Sequence, residues 1–478
     1  MGKDLRSFLQ QMEELLPQQI ARVKKEVASK FEVCGLLRNL ELKGRAPILI
    51  CENALDVEGR PSAYPLISNL FASRENIALA LGLPSSESGL PLTLKASELA
   101  KTPIAPTLVD TRSAPVKEKI FRGNDVDLTR FPIPVHHELD GGPYILASSL
   151  VQVDPGFGTY NTSMVRFHLK GPRRVCVNMI PGHHNGFIYR KYQERGEPMP
   201  VAIVVGHHPG FYMGSQWESA GSQGGVSEYD LIGAMLQEPM EAVPSESFGK
   251  DLLVPARAEL VIEGLIPPDE KEDEGPISEH TRYYKHVRGG QHISRSTSVM
   301  NVTAVTCRRD AYYLDTFIGH ADQNLIGSIP KEGAILNQIK GAAPGVKAVH
   351  LPLSGCGRYI CYISLKQRVA GEARNAILAA FGVDWHLKYV IAVDDDIDVY
   401  SEPEVLWALS LRSQPADDTF VIPKAAGARL DPTTPMEDDQ PLSSKMGIDA
   451  TRPFGKPFSA VGEVPKAVLA KMKPEDYL

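Results

Sequence analysis

The sequence predicts an α/β (α+β) protein in which a central split β-barrel domain is flanked by N-terminal and C-terminal α/β domains. Helical and strand-like segments alternate near both ends, whereas short strands separated by Gly/Pro turns fill the middle. A length of 478 residues suits two or three domains. We place the N-terminal domain at residues 1–115, the central domain at 116–327, and the C-terminal domain with its extended tail at 328–478.

Three segments of the N-terminal domain have recognisable patterns. Apolar residues recur at helical spacing over residues 4–16, and residues 46–51 are an apolar run typical of a buried strand. Residues 69–82 are predicted to form a helix that ends at a glycine. The stretch 83–115 is rich in Pro, Ser and Thr, and we interpret it as the connection to the central domain.

The other two domains differ in their predicted elements. Strands of the central domain are predicted at residues 145–153, 163–169, 174–179, 201–206, 259–266 and 298–307. The C-terminal domain is predicted to have helices near 328–341 and 368–381 and strands at 346–351, 359–365 and 388–393. From about residue 413 the chain is rich in Pro, Asp and Lys, and we expect it to wrap over its neighbours.

The composition argues against several classes of protein. The formal net charge of -7 and the lack of a dense Lys/Arg block argue against a nucleic-acid-binding surface. No apolar run approaches the ~20 residues of a membrane span, and the acidic N-terminus does not resemble a secretory signal. The 6 cysteines include no CxxC pair, which is typical of reduced thiols. We therefore expect a cytoplasmic protein that binds neither nucleic acid nor membrane.

Two glutamates five residues apart flank a Gly-Pro turn. Pro276 has no backbone donor and Gly275 is unfavourable in regular structure, so this segment is not the interior of a helix. The turn can therefore direct the carboxylates of Glu274 and Glu279 at one small volume. The alternative is a solvated surface loop, because three charged residues, 271–273, come directly before the pair.

Arg166 lies in an apolar strand that follows a glycine-rich loop. Strict alternation places Ser163 and Val165 on one face of this strand, and Met164 and Arg166 on the other. A buried arginine needs an anionic partner, so a structural salt bridge would also explain Arg166. Asn161 is expected at the edge of the loop.

Three further side chains could hold a metal ion. Asn161, His183 and Glu228 supply an amide oxygen, an imidazole and a carboxylate, which suit Mn²⁺ or Mg²⁺ holding a phosphate. Simpler explanations exist, because paired histidines on a turn are weak evidence, and Ser227 followed by Glu228 is an ordinary helix start. The spacing alone does not bring the three side chains together.

Taken in order, these motifs resemble the UbiD family of decarboxylases, which use prenylated FMN. The similarity rests on Asn161-(x4)-Arg166, His183, Val226-Ser227-Glu228 and Glu274-Gly-Pro-x-x-Glu279. It continues through Asn324-Leu-Ile-Gly327, Val393-Asp-Asp-Asp-Ile-Asp398 and Leu430-Asp431-Pro432, and so covers most of the chain. The resemblance also implies a flavin-binding split barrel, which agrees with the strand-rich middle of the sequence.

The resemblance assigns roles to particular residues of this chain. Cofactor contacts would come from Asn161, Ser163, Met164, Arg166, Gly182, His183 and Glu228. A divalent cation would be bound by Asn161, His183 and Glu228, and a monovalent cation, K⁺ or Na⁺, would lie nearby on ligands that the sequence does not identify. Arg166, Glu274 and Glu279 would be the catalytic residues, with Glu279 as the proton donor. A carboxyl group in a dry pocket suits this role, because desolvation raises its pKa.

Departures from the family pattern bear on the substrate. Ile277 and Ser278 stand where the family often has Phe-Gly, and His280, followed closely by Arg282, takes a position near the family's substrate pocket. We therefore hypothesise an acid with a polar or anionic ring substituent, such as a hydroxybenzoate, a furoate or an aromatic dicarboxylate. The other predicted substrate contacts are Ile326 and Leu430. Four basic residues downstream are interpreted as parts of a solvent-facing loop: His286, Arg288, His292 and Arg295.

The resemblance implies reversible, non-oxidative decarboxylation of an aromatic or heteroaromatic acid through a covalent adduct with prenylated FMN, releasing CO₂. A flavin prenyltransferase of the UbiX type would supply the cofactor, and the chain would form a homo-oligomer, a dimer or a hexamer. Two alternatives remain open. One is a metal-dependent hydrolase that uses His183, His207 and Glu228 without flavin, and the other is a catalytically silent homologue that binds flavin.

Overall fold

The computed structural model describes residues 2–179, 182–217, 227–288, 291–434 and 441–477. Val226 of the Val226-Ser227-Glu228 motif lies outside these residues. The helices are α1 Leu5–Leu15, α2 Glu32–Glu41, α3 Arg74–Ala80, α4 Leu90–Leu99, α5 His184–Arg195, α6 Pro209–Ser215, α7 Glu228–Leu236, α8 Ala321–Ile339, α9 Glu372–Val383, α10 Glu402–Arg412, α11 Pro415–Asp418 and α12 Lys466–Leu469. In these described ranges, no helix has the length and apolar character needed to cross a bilayer.

The strands follow the same order along the chain. They are β1 Ile20–Val23, β2 Ile48–Cys51, β3 Leu66–Ser68, β4 Thr107–Leu108, β5 Lys119–Arg122, β6 Tyr144–Ile145, β7 Ser148–Val153, β8 Tyr160–Met164, β9 Phe167–Gly171, β10 Arg174–Val177, β11 Met199–Val205, β12 Glu241–Ser245, β13 Gly249–Pro255, β14 Leu260–Ile266, β15 Lys271–Asp273, β16 Val287–Arg288, β17 Gln291–His292, β18 Ser296–Cys307, β19 Tyr313–Leu314, β20 Val346–His350, β21 Ile360–Leu365, β22 Tyr389–Asp394, β23 Thr419–Ala426 and β24 Leu442–Ala450.

Three larger sheets organise the chain. A 4-stranded sheet, ordered β1-β2-β3-β19, lies in the N-terminal part and takes its last strand from far along the sequence. A 10-stranded sheet, ordered β6-β9-β10-β18-β14-β11-β7-β8, fills the centre, and β15 and β5 also pair with β18. A 5-stranded sheet, ordered β20-β21-β22-β24-β23, forms the C-terminal part. The long strand β18 therefore holds together the central sheet and the short strand β15, which leads into the Glu274–Glu279 segment.

Apolar side chains form two main cores. The first contains residues from Leu5 to Ile329, so the N-terminal and central parts share one buried interior. The second contains residues from Ile335 to Ala392 and lies within the C-terminal part. The long helix α8 contributes residues to both cores and joins them. The division at 115/116 and 327/328 stays a prediction.

Two segments of the central domain that were each predicted to form one continuous strand form two separate strands in the structure, so these two predictions are wrong. The segment 163–169 divides into β8 and β9, because β8 pairs with β7 whereas β9 pairs with β10 and β6. The segment 145–153 divides into β6 and β7 for the same reason. A change of strand partner forces the chain to turn, and side-chain alternation does not continue through the turn. Asn161, expected at a loop edge, instead pairs with Gln152 inside the ladder.

Other differences concern the ends of elements. The stretch 83–115 contains the helix α4, which begins with a proline in its first turn, where the missing N–H costs nothing. The chain after residue 413 is not only a tail, since β23 and β24 complete the C-terminal sheet. Helix α8 begins at Ala321, seven residues before its predicted start. Helix α9 begins at Glu372 and not near 368 as predicted, because the preceding residue, Gly371, has a left-handed φ of 82° that an α-helix does not contain.

Candidate active site

The Glu274–Glu279 segment leaves the edge of the central sheet and is held by hydrogen bonds to its backbone. The Gly275 N–H donates to His168 Nδ1 at 3.0 Å, and the Tyr144 hydroxyl donates to the Gly275 carbonyl at 2.6 Å. The Gly141 N–H donates to the Pro276 carbonyl at 2.7 Å. The segment is therefore fixed on both sides and is not a solvated loop, which was the alternative interpretation.

Glycine is required where this segment passes Gly141. A Cβ atom on Gly141 would lie 2.5 Å from the Cα of Gly275, and one on Gly275 would lie 2.7 Å from the Cα of Gly141. Neither contact is sterically possible without movement of the backbone. The close approach places Glu274 directly after β15 with its carboxylate turned inward, where it is 2% exposed.

Arg166 lies in the break between β8 and β9. Its Nε donates to Glu274 Oε1 at 2.6 Å and its Nη2 donates to Glu274 Oε2 at 2.9 Å, which is a bidentate pair. Its Nη1 contacts a carboxylate oxygen of Glu279. The side chains of Arg166 and Glu274 are 7% and 2% exposed, whereas that of Glu279 is 18% exposed. The three side chains singled out from the sequence thus meet, and Glu279 is the one nearest to solvent.

The charges of this cluster stabilise each other. Burial raises the pKa of Glu274, but the positive charge and the two hydrogen bonds of Arg166 outweigh it and hold that pKa below its usual range. Burial would lower the pKa of Arg166, but the charge of Glu274 raises it overall. Both groups are therefore ionised at neutral pH.

A cavity that is partly open to solvent adjoins this cluster. The cluster and the turn that follows it contribute Arg166, Glu274, Gly275, Ile277 and Glu279 to the lining. The lining also includes Tyr283, Lys285, His286, Arg295 and Leu430. The preferred interpretation of the downstream basic residues as a solvent-facing loop is therefore wrong for His286 and Arg295. It agrees with the structure for His292, which is exposed and lies 3.1 Å from a carboxylate oxygen of Asp273.

The four predicted substrate residues lie in different places. Leu430 lines the cavity, but the other three are not among its lining residues. The Nδ1 atom of His280 lies 3.0 Å from Oδ1 of Asn324. Ile326 is buried in α8. Arg282 is exposed and has a left-handed φ of 61°. Contact of these three with a substrate stays a prediction.

Tyr283 and Lys285 line the cavity but were not singled out from the sequence. The segment that carries them has no regular periodicity, so the sequence does not show which side chains point inward. The available signal was the density of basic and aromatic residues directly after Glu279.

The predicted cation ligands lie around the start of α7. The carboxylate of Glu228 accepts hydrogen bonds from the backbone N–H of Thr162 and, at 3.1 Å, from its hydroxyl. The second Glu228 oxygen is 3.6 Å from Nδ1 of His184, and His183 is the exposed N-cap residue of α5. Ser227 is the N-cap residue of α7 as expected, although its side chain makes no capping hydrogen bond.

The remaining predicted cofactor residues differ in exposure, and Asn161 is buried. The Asn161 amide nitrogen donates to Ser163 Oγ at 3.0 Å, which leaves the amide oxygen for a ligand. Ser163 and Met164 are half-buried in β8, and a Cβ on the exposed Gly182 would meet nothing within 4 Å. Among the described residues, no group of three or more His, Cys, Asp or Glu side chains forms a metal site. His207, which the alternative hydrolase would use, is 2% exposed, and its Nδ1 accepts the His208 N–H.

Three family models match consecutive parts of the chain. They describe 3-octaprenyl-4-hydroxybenzoate carboxy-lyase: its N-terminal domain matches residues 15–90, its Rift-related domain residues 107–321, and its C-terminal domain residues 324–450.

Individual relatives cover nearly the whole chain. A relative from Methanothermobacter thermautotrophicus named anhydromevalonate phosphate decarboxylase is 30% identical over 432 residues, or 90% of this chain and 94% of the relative. A relative from Rhodospirillum rubrum, named only as an uncharacterized protein in the cooM 5' region, is 31% identical over 437 residues, or 91% of this chain and 89% of the relative. The structure of the UbiD-class enzyme HmfF from Pelotomaculum thermopropionicum in complex with FMN matches with a TM-score of 0.89 at 35% identity, covering 99% of this chain and 100% of that one.

These matches define the class of the protein as a carboxy-lyase with a mixed α/β fold, which confirms the predicted fold class. The chain belongs to the UbiD family.

Proposed function

We propose that the protein catalyses the reversible, non-oxidative decarboxylation of an aromatic or heteroaromatic acid with a polar substituent, using bound prenylated FMN. The observation that carries this proposal is the buried Arg166–Glu274 pair. Glu279 contacts Nη1, the guanidinium nitrogen that Glu274 does not bind, and a cavity lies directly beside the three side chains. Such an arrangement can bind a carboxylate and deliver a proton at the same place.

Arg166 would bind the reacting carboxylate through one part of its guanidinium. Its Nε and Nη2 are committed to Glu274, so Nη1, which contacts Glu279, is the group that faces a substrate. Protonation of Glu279 removes its negative charge and weakens its contact with Nη1. The same proton that prepares Glu279 as an acid thus frees Arg166 for the substrate carboxylate.

Glu279 would supply the proton that replaces CO₂. The bond between the ring carbon and the carboxylate breaks, CO₂ leaves, and the Glu279 proton is transferred to that carbon, so that the carboxylate plus one proton gives arene plus CO₂. In the carboxylation direction Glu279 would accept the proton. At 18% exposure Glu279 can exchange protons with solvent between turnovers, whereas Glu274 at 2% cannot do so easily.

Glu274 would orient Arg166 and keep it charged. Its pKa lies below the usual range, so it stays ionised while Glu279 gains and loses its proton. The two carboxylates that contact one arginine therefore have different environments and different tasks.

The residues around β8 and α7 fit a bound flavin phosphate with its cation. Glu228 is a half-buried carboxylate whose pKa is raised by desolvation, and a nearby divalent ion would stabilise its charged form. Asn161, His183 and Glu228 would hold Mn²⁺ or Mg²⁺, with Ser163, Met164 and Gly182 beside the cofactor and a K⁺ or Na⁺ ion nearby. When bound, prenylated FMN would supply an electrophilic ring that bonds covalently to the substrate and takes up the electron pair left by CO₂.

The proposal includes two kinds of partner. A flavin prenyltransferase of the UbiX type would provide the cofactor. The chain would act as a homo-oligomer, a dimer or a hexamer.

A screen of cofactor-loaded protein tests the proposed function. The protein is co-expressed with a flavin prenyltransferase and purified, its absorption spectrum is recorded, and CO₂ release is followed over a panel of hydroxybenzoates, furoates and aromatic dicarboxylates. We expect a bound flavin and CO₂ release from at least one acid. No bound flavin would favour the hydrolase, whereas bound flavin without hydrogen–deuterium exchange on any candidate product would favour the silent homologue.

A further inference from the structure

The cavity contains more positive charge than the Arg166–Glu274–Glu279 cluster requires. Its lining has three cationic side chains, Arg166, Lys285 and Arg295, against the two carboxylates of Glu274 and Glu279. His286 adds no charge at neutral pH, because burial and the charge of Arg295 lower its pKa to about 4. When Glu279 carries the proton that it would donate, the lining has a net charge of two positive units.

Arg295 is a partly buried cation without a close carboxylate of its own. Its Nη2 donates to Asn178 Oδ1 at 2.8 Å, a neutral acceptor. Its ion pair is with Glu274 at 3.8 Å, and both oxygens of that carboxylate already accept hydrogen bonds from Arg166. The nearest carboxylate is therefore shared and not within hydrogen-bond distance, and burial and the charge of Arg166 lower the pKa of Arg295 although Glu274 acts to raise it.

Lys285 is a second cation in the lining of this cavity, and the charge of Arg295 is near enough to act on it. Its ammonium donates to the Arg429 carbonyl. Burial and the positive charge of Arg429 lower the pKa of Lys285, and the carboxylate of Asp431, which pairs with Lys388 at 2.8 Å, offsets this only in part. An ammonium has three donors, so Lys285 can bind a further oxygen atom.

We propose, on the basis of the proposed function, that Arg295 and Lys285 form a second anion site in this cavity and that the natural substrate carries two anionic groups. The reacting carboxylate lies at Arg166 and Glu279, and the second oxyanion, a carboxylate or a phosphate ester, lies at Arg295 and Lys285. The arginine offers a planar fork and the lysine a point charge, a combination that suits either oxyanion.

Charge balance explains why such a site would be selective. A dianion neutralises the two positive units of the cavity when Glu279 is protonated. A monoanion leaves Arg295 partly buried without compensation, which is unfavourable in a poorly hydrated site. The loss of one charge-assisted hydrogen-bonded pair corresponds to about a 10- to 100-fold weaker affinity.

The test compares acids that differ only in the second anion. Cofactor-loaded protein is assayed with furan-2-carboxylate against furan-2,5-dicarboxylate, and with 4-hydroxybenzoate against its phosphate ester. We expect kcat/KM to be about 10- to 100-fold higher for the acid with the second anionic group in at least one pair, and that pair identifies the second group as a carboxylate or as a phosphate, which carries nearly two charges of its own at pH 7. Equal kcat/KM values within both pairs would overturn the proposal.

Variants of Arg295 separate binding of the second anion from a structural role. Arg295→Gln is expected to raise KM for the preferred dianion about 10- to 100-fold and to change the monoanion less than about 3-fold, with Arg295→Lys restoring part of the loss. An arginine that only holds Asn178 and Glu274 would instead lower kcat for both acids alike, which would contradict the proposal. The control is Arg112→Gln, which removes the same charge from a side chain that is 90% exposed.

A binding measurement keeps this proposal separate from the proposed function. Calorimetry of the same acids with protein loaded with unprenylated FMN needs no turnover. If no acid releases CO₂ but the dianion binds at least about 10-fold more tightly than its monoanion, and Arg295→Gln and Lys285→Gln remove that difference, the anion site stands and the reaction fails. Equal affinities, or affinities unchanged in both variants, would overturn the anion site even if decarboxylation is observed.

Discussion

The substitution Glu274→Gln tests whether the buried Arg166–Glu274 pair holds the site together. Both side chains are below 8% exposed and share two hydrogen bonds, of 2.6 Å and 2.9 Å. Glutamine keeps one acceptor but removes the charge and places an NH₂ group against the guanidinium. Removing one partner of a buried ion pair costs about 3–5 kcal/mol, and the retained acceptor favours the lower end, so we expect a loss of about 3 kcal/mol.

Urea denaturation at pH 7, followed by tryptophan fluorescence, measures this loss. The matched control is Glu272→Gln, two residues earlier on β15, where the carboxylate pairs with Arg174 at 2.8 Å but both side chains are about one-third exposed. An exposed pair of this kind contributes about 0–1 kcal/mol. If Glu274→Gln shifts the midpoint no more than Glu272→Gln does, the inferred strength of the buried pair is wrong.

The same pair predicts the pH dependence of stability. The pKa of Glu274 is lower in the folded protein than in the unfolded chain, so its contribution is fully present above the unfolded pKa of about 4.5. This contribution decreases as the pH falls below that value through the folded pKa. The stability difference between the wild type and Glu274→Gln should therefore be constant from pH 6 to 8 and decrease in acid. A difference that instead grows in acid would contradict the assigned direction of the pKa shift.

Two further predictions concern the Glu274–Glu279 segment and the cation site. Gly141→Ala should reduce turnover by at least about 10-fold, because its Cβ would lie 2.5 Å from the Cα of Gly275. The control is Gly35→Ala in α2, where a Cβ meets nothing within 4 Å, and this change should stabilise the protein by about 0.5–1 kcal/mol. Steady-state kinetics measure the first effect and urea midpoints the second, and full activity of Gly141→Ala would contradict the steric argument. Glu228→Gln should lower the metal and flavin content of purified protein together, measured by elemental analysis and absorption, and unchanged contents would remove Glu228 from the proposed ligands.

The catalytic cluster could be found from the sequence, but its geometry could not. Arg166 and the two glutamates are distinctive as ordered motifs, and the structure brings all three into contact. Side-chain alternation along one strand does not explain the direction of the Arg166 side chain, because β8 ends at Met164 and Arg166 lies beyond it. The break follows from a change of strand partner, which is a long-range event that local periodicity does not report.

The cavity lining was the least predictable part of the site. Lys285 faces the cavity while its ammonium donates to the carbonyl of Arg429, a contact between segments 144 positions apart. His280 adjoins Glu279 in sequence, yet its ring turns to Asn324 on α8. Neighbours in an irregular segment can point in opposite directions, so proximity in sequence to a catalytic residue is weak evidence for contact with a substrate.

The missed C-terminal strands have a local cause. Strand β23 contains Pro423 and a left-handed Lys424 with φ of 55°, and its pairing with β24 shifts register between Ile422 and Ala425. This irregularity interrupts the alternation by which strands are recognised. The segment was therefore interpreted as a tail although it belongs to the sheet.

Glu279 is proposed to protonate the carbon that loses CO₂, and the deuterium content of the product reports on this proton transfer. Cofactor-loaded protein is incubated in D₂O with an acid that it decarboxylates, and the product is analysed by mass spectrometry and NMR. We expect one deuterium at that carbon for the wild type, and for Glu279→Gln a loss of at least about 100-fold in both product formation and exchange of added product. Undiminished exchange in Glu279→Gln would show that Glu279 is not the proton donor.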